Sequence, residues 1–282
     1  MALVREVKAF GNTLGIEPTE ALRRTSFDAP ALSMMWLWLQ RAGTLAIRAP
    51  IDIRMAIGFS MEREQLRLEQ VYRVDGYSVY YRQGNEFADP RSIATFSFAD
   101  EGIVRRVKIV LHEDLHGDKN FDLPWEIEEA IVTPLGSLGA VEFFRHRGDE
   151  DNMRRALMSL DEERQFAREL NDLVREAERI FVTNTPAEAN KKIMALIPSF
   201  PNYHRQFRRQ ISGQHPAAAL EAKLSHDLAY YRFHDRVVSL LERSGDLGRL
   251  IEDLKRLPRD TTADGLEEYL RELGARYGAG RD

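Results

Sequence analysis

Beyond Asp149 every periodic stretch of this sequence has the period of a helix, and that feature decides the broad class of the fold. LDEERQFARELNDLVREAERIF, PAEANKKIMALI, AALEAKLSHDLAYYRFHDRVVSLLERSG and LGRLIEDLKRL all repeat apolar residues three and four positions apart. Strand character is confined to two short segments, Tyr77 to Tyr81 and Ile93 to Phe98, which are β-branched and aromatic and flank the turn-rich QGNEFADP. The expected class is therefore α+β, predominantly helical, with one small β-sheet. A chain of 282 residues is long enough to bury a sizeable core.

The N-terminal half is more varied. Val4, Val7, Phe10 and Leu14 predict a short amphipathic helix that Gly15 ends, and Pro18 followed by Thr19-Glu20-Ala21-Leu22 predicts the start of another. Met34 to Trp38 is apolar on all sides and reads as a buried helix. SMEREQLRLEQ, residues 60–70, reads as an exposed helix, SFPNYHRQF as a loop between helices, and the charged, Gly-spotted end from Arg259 as a fraying terminus.

Composition removes whole classes of function. The formal charge is 40 − 45 = −5, so the broad positive field used in nonspecific nucleic-acid binding is missing and no nucleic-acid partner is expected. Cysteine is absent, which excludes disulfides, thiol nucleophiles and all-Cys zinc sites and leaves His and carboxylate as metal ligands. The apolar run Ala31 to Leu39 meets Gln40 and Arg41 well short of the roughly 20 residues of a membrane crossing, and charges run through the N-terminus where a signal peptide carries its apolar stretch. No membrane span and a cytoplasmic location are the expectations. Oligomeric state leaves no sequence signal here.

The segment with chemistry lies between the strands and the helical tail. Ile103, Val107, Val110, Leu111 and Leu115 form one helical stripe that stops at Gly117. Near its end stands His112-Glu113-Asp114-Leu115-His116, the pattern H-E-x-x-H. Residues four apart share a helical face, so His112 and His116 can present two imidazoles to one zinc ion, with Glu113 placed as general base toward its water. Strand followed by metal helix is the order of a zincin active site.

A catalytic zinc takes three protein ligands, and the next helix, from near Trp125 past Phe144, carries Glu128 and Glu129. Glu129 shares its face with Val132, Thr133, Gly136 and Ala140, mostly small residues that let another helix approach. Glu128 shares its face with Ile131, Leu135 and Leu138, which read as core, so Glu129 is the expected third ligand. The plain alternative is a pair of charges that favour a helix N-terminus. Pro134 predicts a kink or break in this helix. Asp118 and Asp122 are candidates to hydrogen-bond a ligating imidazole, although charged loop residues usually face water. His204 and His215 read as surface residues, His146 as a helix C-terminal cation, and the run Arg205 to Arg209 as solvated helix charge.

LHEDLHGDKNFDLPWEIEEAIVT resembles the metal-binding stretch of a bacterial family of zinc aminopeptidases within the gluzincin group. That family has H-E-x-x-H, a short loop, and an Asn-Glu-x-x-Ala-Thr helix. Glu129 falls thirteen residues beyond His116, at the family's third ligand, while Glu128 stands where the family has Asn and Val132 where it has Ala. More weakly, LEQVYRVDGYSVYYRQ, Asp89-Pro90 and Glu221-Ala222-Lys223-Leu224 with Tyr230 are similar to further stretches of the family.

The resemblance implies a zinc-dependent metallopeptidase with aminopeptidase action on a peptide substrate. The ligands would be His112, His116 and Glu129, the base Glu113, and Tyr230 a hydrogen-bond donor to the developing oxyanion, with Tyr231, His226 and His234 nearby in sequence. It implies a zincin-like lobe, residues 1–149, holding the small sheet, the HEDLH helix and the third-ligand helix, and a helical C-terminal lobe, residues 150–282. The contrasting expectation is a helical binding or scaffold protein derived from such an enzyme, metal-free or inactive.

Overall fold

The computed structural model describes residues 1–25, 33–45, 67, 70–71, 76–85 and 93–279. Its elements are α1 (Ala2–Thr13), β1 (Arg24–Thr25), β2 (Ser33–Arg41), β3 (Tyr77–Asn85), β4 (Ile93–Ala94), α2 (Phe96–Asp100), α3 (Ile103–His116), α4 (Trp125–Arg147) and α5 (Glu150–Thr183). They continue with α6 (Pro186–Leu196), α7 (Pro201–Gln210), α8 (Pro216–Tyr231), α9 (His234–Ser244), α10 (Leu247–Leu254) and α11 (Ala263–Ala279). The chain is mainly helical with little sheet, as expected. Among the described residues no helix is long and apolar enough to cross a membrane.

Two compact units divide the chain. The first comprises Met1–Leu32, Glu86–Arg164 and Phe233–Asp282, the second Ser33–Asn85 and Gln165–Arg232. Each is assembled from separate stretches, so neither follows a cut between residues 149 and 150. Of the two expected strand segments, Tyr77–Asn85 falls in the second unit and Ile93–Ala94 in the first, with the HEDLH helix. The nine-residue antiparallel ladder of β2 on β3, with Leu37 opposite Tyr81 and Trp38 opposite Tyr80, belongs to the second unit. Among the described residues of the first unit, the strands are the two-residue parallel pair of β1 and β4.

In the first unit α3 packs on helices instead. Val107, Val110, Leu111 and Leu115 are buried against α1 and α4. A Cβ placed on Gly139 would lie 2.7 Å from Leu111 Cδ1, and one on Gly11 3.1 Å from Leu111 Cδ2, so α3 is pressed close to both neighbours through glycines. The helix α4 runs through Pro134 without a break, and Gly148, at φ 71°, ends it in the left-handed conformation that suits glycine. The segment after α1 is not a second helix. Thr19 donates its backbone N–H (3.1 Å) and its hydroxyl (2.7 Å) to Asp114 Oδ1, which also pairs with Lys8, and this holds residues 17–22 as an irregular strap on α3.

Several local expectations are corrected by partners distant in sequence. The apolar run containing Met34 to Trp38 is strand β2, because Tyr77–Asn85 supplies its backbone hydrogen bonds; an uninterrupted apolar run from Met34 to Leu39 has no period to separate helix from strand. Ile93 to Phe98 yields only a two-residue strand, since the Thr95 side chain accepts from Phe98 N–H and caps α2. The loop expected at SFPNYHRQF is α7, begun by Pro201 and anchored by buried Tyr203 and Phe207. The charged C-terminal stretch forms α11, which buries Leu266, Leu270, Leu273 and Tyr277. The helix read over residues 60–70 lies almost wholly outside the described residues, of which Arg67, Gln70 and Val71 are helical.

In the second unit β3 packs on α8, where Ser78 donates to Ala218 O at 2.9 Å. A buried polar group lies among these elements: Asp227 pairs with Lys223, accepts from Tyr203 Oη at 3.0 Å and meets His226 Nδ1 at 3.0 Å. Burial alone would raise the Asp227 carboxyl, but Lys223 and His226 outweigh it and hold it below the usual range.

Candidate metal centre

The H-E-x-x-H segment is helical to its last residue and lies in α3, one helix face of which meets α4. Gly136 makes the approach possible: a Cβ there would be 3.1 Å from His112 Cβ and 3.2 Å from Lys108 O. The small residues read from the sequence on the Glu129 face of α4 thus do admit a second helix, and it is the histidine helix.

His112 Nε2 and His116 Nε2 are 3.1 Å apart. Glu129 spans the pair, with Oε2 3.5 Å from His112 Nε2 and Oε1 3.3 Å from His116 Nε2. All three side chains are mostly buried, at 16, 11 and 8% exposure in the order His112, His116, Glu129. A carboxylate oxygen of Glu113 and one ring nitrogen of each histidine also lie within 4.8 Å of one another. Both carboxylates are therefore within ligand range of the two rings, and Glu129 contacts both of them.

The outward ring nitrogen of His116 is fixed as well: His116 Nδ1 donates to Glu128 Oε1 at 2.8 Å. With that bond made at the far side of the His116 ring, its Nε2 faces the shared point alongside His112 Nε2, the orientation usual for metal-ligating imidazoles. The consecutive residues Glu128 and Glu129 therefore grip His116 at both nitrogens.

Electrostatics follow the same geometry. Burial, then the neighbouring His116, push His112 down to about 3, so this ring is neutral. Burial also works against a charged His116, but Glu129, Glu128 and Glu113 together outweigh it and raise the ring well above 6.5. Burial raises the Glu128 carboxyl, although its bond to His116 opposes that. A single positive charge is thus held between carboxylates at the point where both Nε2 atoms converge, and the donor set of two imidazoles and one carboxylate fits a zinc ion.

Asp118 and Asp122 do not serve the histidines. Asp118 accepts from Glu17 N and Asn120 N and pairs with Lys255 at 2.8 Å, tying loops of the first unit together. Exposed Asp122 pairs with Arg259 at 2.9 Å. The carboxylate behind the imidazole is Glu128, which the sequence reading set aside as a core-face charge. His226, Tyr230 and Tyr231 belong to the second unit on α8, the Tyr230 ring 5.0 Å from that of His226, whereas His234 opens α9 in the first unit. His146 lies in the last turn of α4, its ring 5.6 Å from Phe10, and His204 sits on α7 rather than in a loop.

One cluster near the centre had no local signal in the sequence. Glu163 on α5 pairs with Lys108, accepts from Ser137 Oγ at 2.6 Å and meets His234 Nε2 at 3.1 Å. Lys108 stands one turn before His112. Comparison of the chain with protein-family models, curated proteins and solved structures finds no match.

Proposed function

We propose that this chain is a zinc-dependent metallopeptidase whose centre is built on α3 and α4, with His112, His116 and Glu129 as ligands. The observation that carries the reading is the convergence of two Nε2 atoms and the Glu129 carboxylate on one point, with the His116 imidazole held from behind by Glu128. When bound there, zinc supplies Lewis-acid polarisation of a peptide carbonyl and lowers the pKa of water toward about 7.

The chain's own groups do the rest. Glu113, adjacent to His112 and close to both rings, takes the proton of the attacking water and delivers it to the leaving amine. Glu128 holds His116 by Nδ1–H, so that Nε2 is the nitrogen that would give up its proton and bind the metal. The substrate class is a peptide, and aminopeptidase action follows from the family resemblance of LHEDLHGDKNFDLPWEIEEAIVT.

The test pairs metal content with hydrolysis. Purified chain reconstituted with Zn2+ should hold one ion and release amine from a panel of fluorogenic peptides with free or blocked N-termini. Glu113→Gln should keep the ion and lose turnover. A wild-type chain that binds no zinc would instead fit the metal-free scaffold, and a Glu113→Gln variant with normal turnover would remove Glu113 as the base.

A further inference from the structure

We propose that Glu163 is a positioning residue of the metal centre, which neutralises Lys108 and so permits a dication beside it; this rests on the metallopeptidase reading above. Lys108 precedes His112 by four residues and shares its face of α3. Lys108 and His112 stand side by side against α4, where Lys108 O and His112 Cβ lie 3.2 and 3.1 Å from the Cβ position of Gly136. A fixed cation so close disfavours a second, doubly charged one, and the Lys108 side chain is only 23% exposed, so water screens it poorly.

Glu163 offsets that charge directly. Its carboxylate, 18% exposed, pairs with Lys108 and is held in place by Ser137 of α4 and by fully buried His234 of α9. Burial would raise its carboxyl, but Lys108 and His234 outweigh this and keep Glu163 ionised well below the ordinary carboxylate range. His234 is held down by burial, so it brings no second positive charge to the cluster. One carboxylate thus joins α3 and α4, the two ligand-bearing helices, to α5 and α9, and offsets the charge of Lys108, the cation one turn from His112.

Zinc affinity of the full chain, measured by competition with a chromophoric chelator, tests this without any assay of activity. Glu163→Gln should fold normally by circular dichroism, because the amide still accepts from Ser137, and should bind zinc about tenfold more weakly or worse. Lys108→Met should bind at least as tightly as wild type. In the double variant most of the lost affinity should return, a rescue that a merely structural role for Glu163 does not give. The proposal is overturned by wild-type affinity in Glu163→Gln, by weakened binding in Lys108→Met, or by a double variant no better than Glu163→Gln. If Glu163→Gln does not fold, Lys108→Met decides alone. Absence of zinc binding by wild type, or binding unchanged in His116→Ala, would bring down the metal reading itself and this proposal with it.

Discussion

Replacing Gly136 with alanine separates the geometry of the centre from the stability of the fold. The added Cβ would stand 3.1 Å from His112 Cβ, 3.2 Å from Lys108 O and 3.6 Å from His112 Cα, while unstrained carbon contacts lie near 3.5–4.0 Å. Two of these atoms are backbone, so relief requires α3 to move by a few tenths of an ångström, carrying both histidines away from Glu129. Alanine in place of a helical glycine gains about 1 kcal/mol, and overpacking costs about 1–3 kcal/mol, so the net loss of stability should be about 0–2 kcal/mol. Zinc affinity should fall further than stability, by about 10–100-fold, the range seen when ligand support is disturbed.

Gly139→Ala is the control, because Gly139 stands about one turn beyond Gly136 on α4 and its Cβ meets Leu111 Cδ1 at 2.7 Å, the movable end of a side chain. It should change the urea midpoint and leave zinc affinity near wild type. Chelator competition and urea unfolding of the metal-free protein read the two quantities. Wild-type zinc affinity in Gly136→Ala, or an equal loss in both variants, would refute the argument that this contact sets the ligand spacing.

Other perturbations give distinct readouts. Glu129→Ala should abolish tight zinc binding, whereas Glu128→Ala, which removes only the support of His116 Nδ1, should weaken it about 10–100-fold; the reverse order in titration calorimetry would exchange their roles. Lys8→Met leaves the Asp114 carboxylate buried without its cation and should cost about 3–5 kcal/mol in chemical denaturation, and a loss under 1 kcal/mol would contradict it. Lys255, Asn120 and the Glu17 N–H overcome burial and lower the Asp118 carboxyl. A depressed folded-state pKa gives stability that is complete above the unfolded value near 3.9 and is lost as pH falls through the lower folded value. Lys255→Met should therefore flatten the decline of the urea midpoint between about pH 4 and pH 2, and an unchanged acid limb would remove this pair from the pH dependence.

What could be read from the sequence was whatever has its cause within one or two helical turns. Ile103 to Leu115 carry their own apolar period and Gly117 its stop, so α3 and the shared face of His112 and His116 were legible in advance. The preference for Glu129 followed from the small residues on its face of α4, and Gly136 against His112 is the contact those residues allow. β2 was not legible, because an apolar run becomes a strand only when Tyr77–Asn85 lies beside it. Glu128 was set aside for its core-like face, yet the bond to His116 Nδ1 depends on how α3 crosses α4, which periodicity does not report. Glu163 is joined to Lys108 across 55 residues, and the assignment of the sheet to the second unit rests on similarly remote contacts.

The central claim is that α3 and α4 hold one zinc ion, and anomalous diffraction at the zinc edge from crystals of the metal-loaded chain tests it most directly. The account predicts a single strong peak per chain, with His112 Nε2 and His116 Nε2 about 2.0–2.1 Å away and a Glu129 oxygen at about 2.0–2.2 Å. A peak bound by other residues, or no peak between these three side chains at saturating zinc, would contradict it.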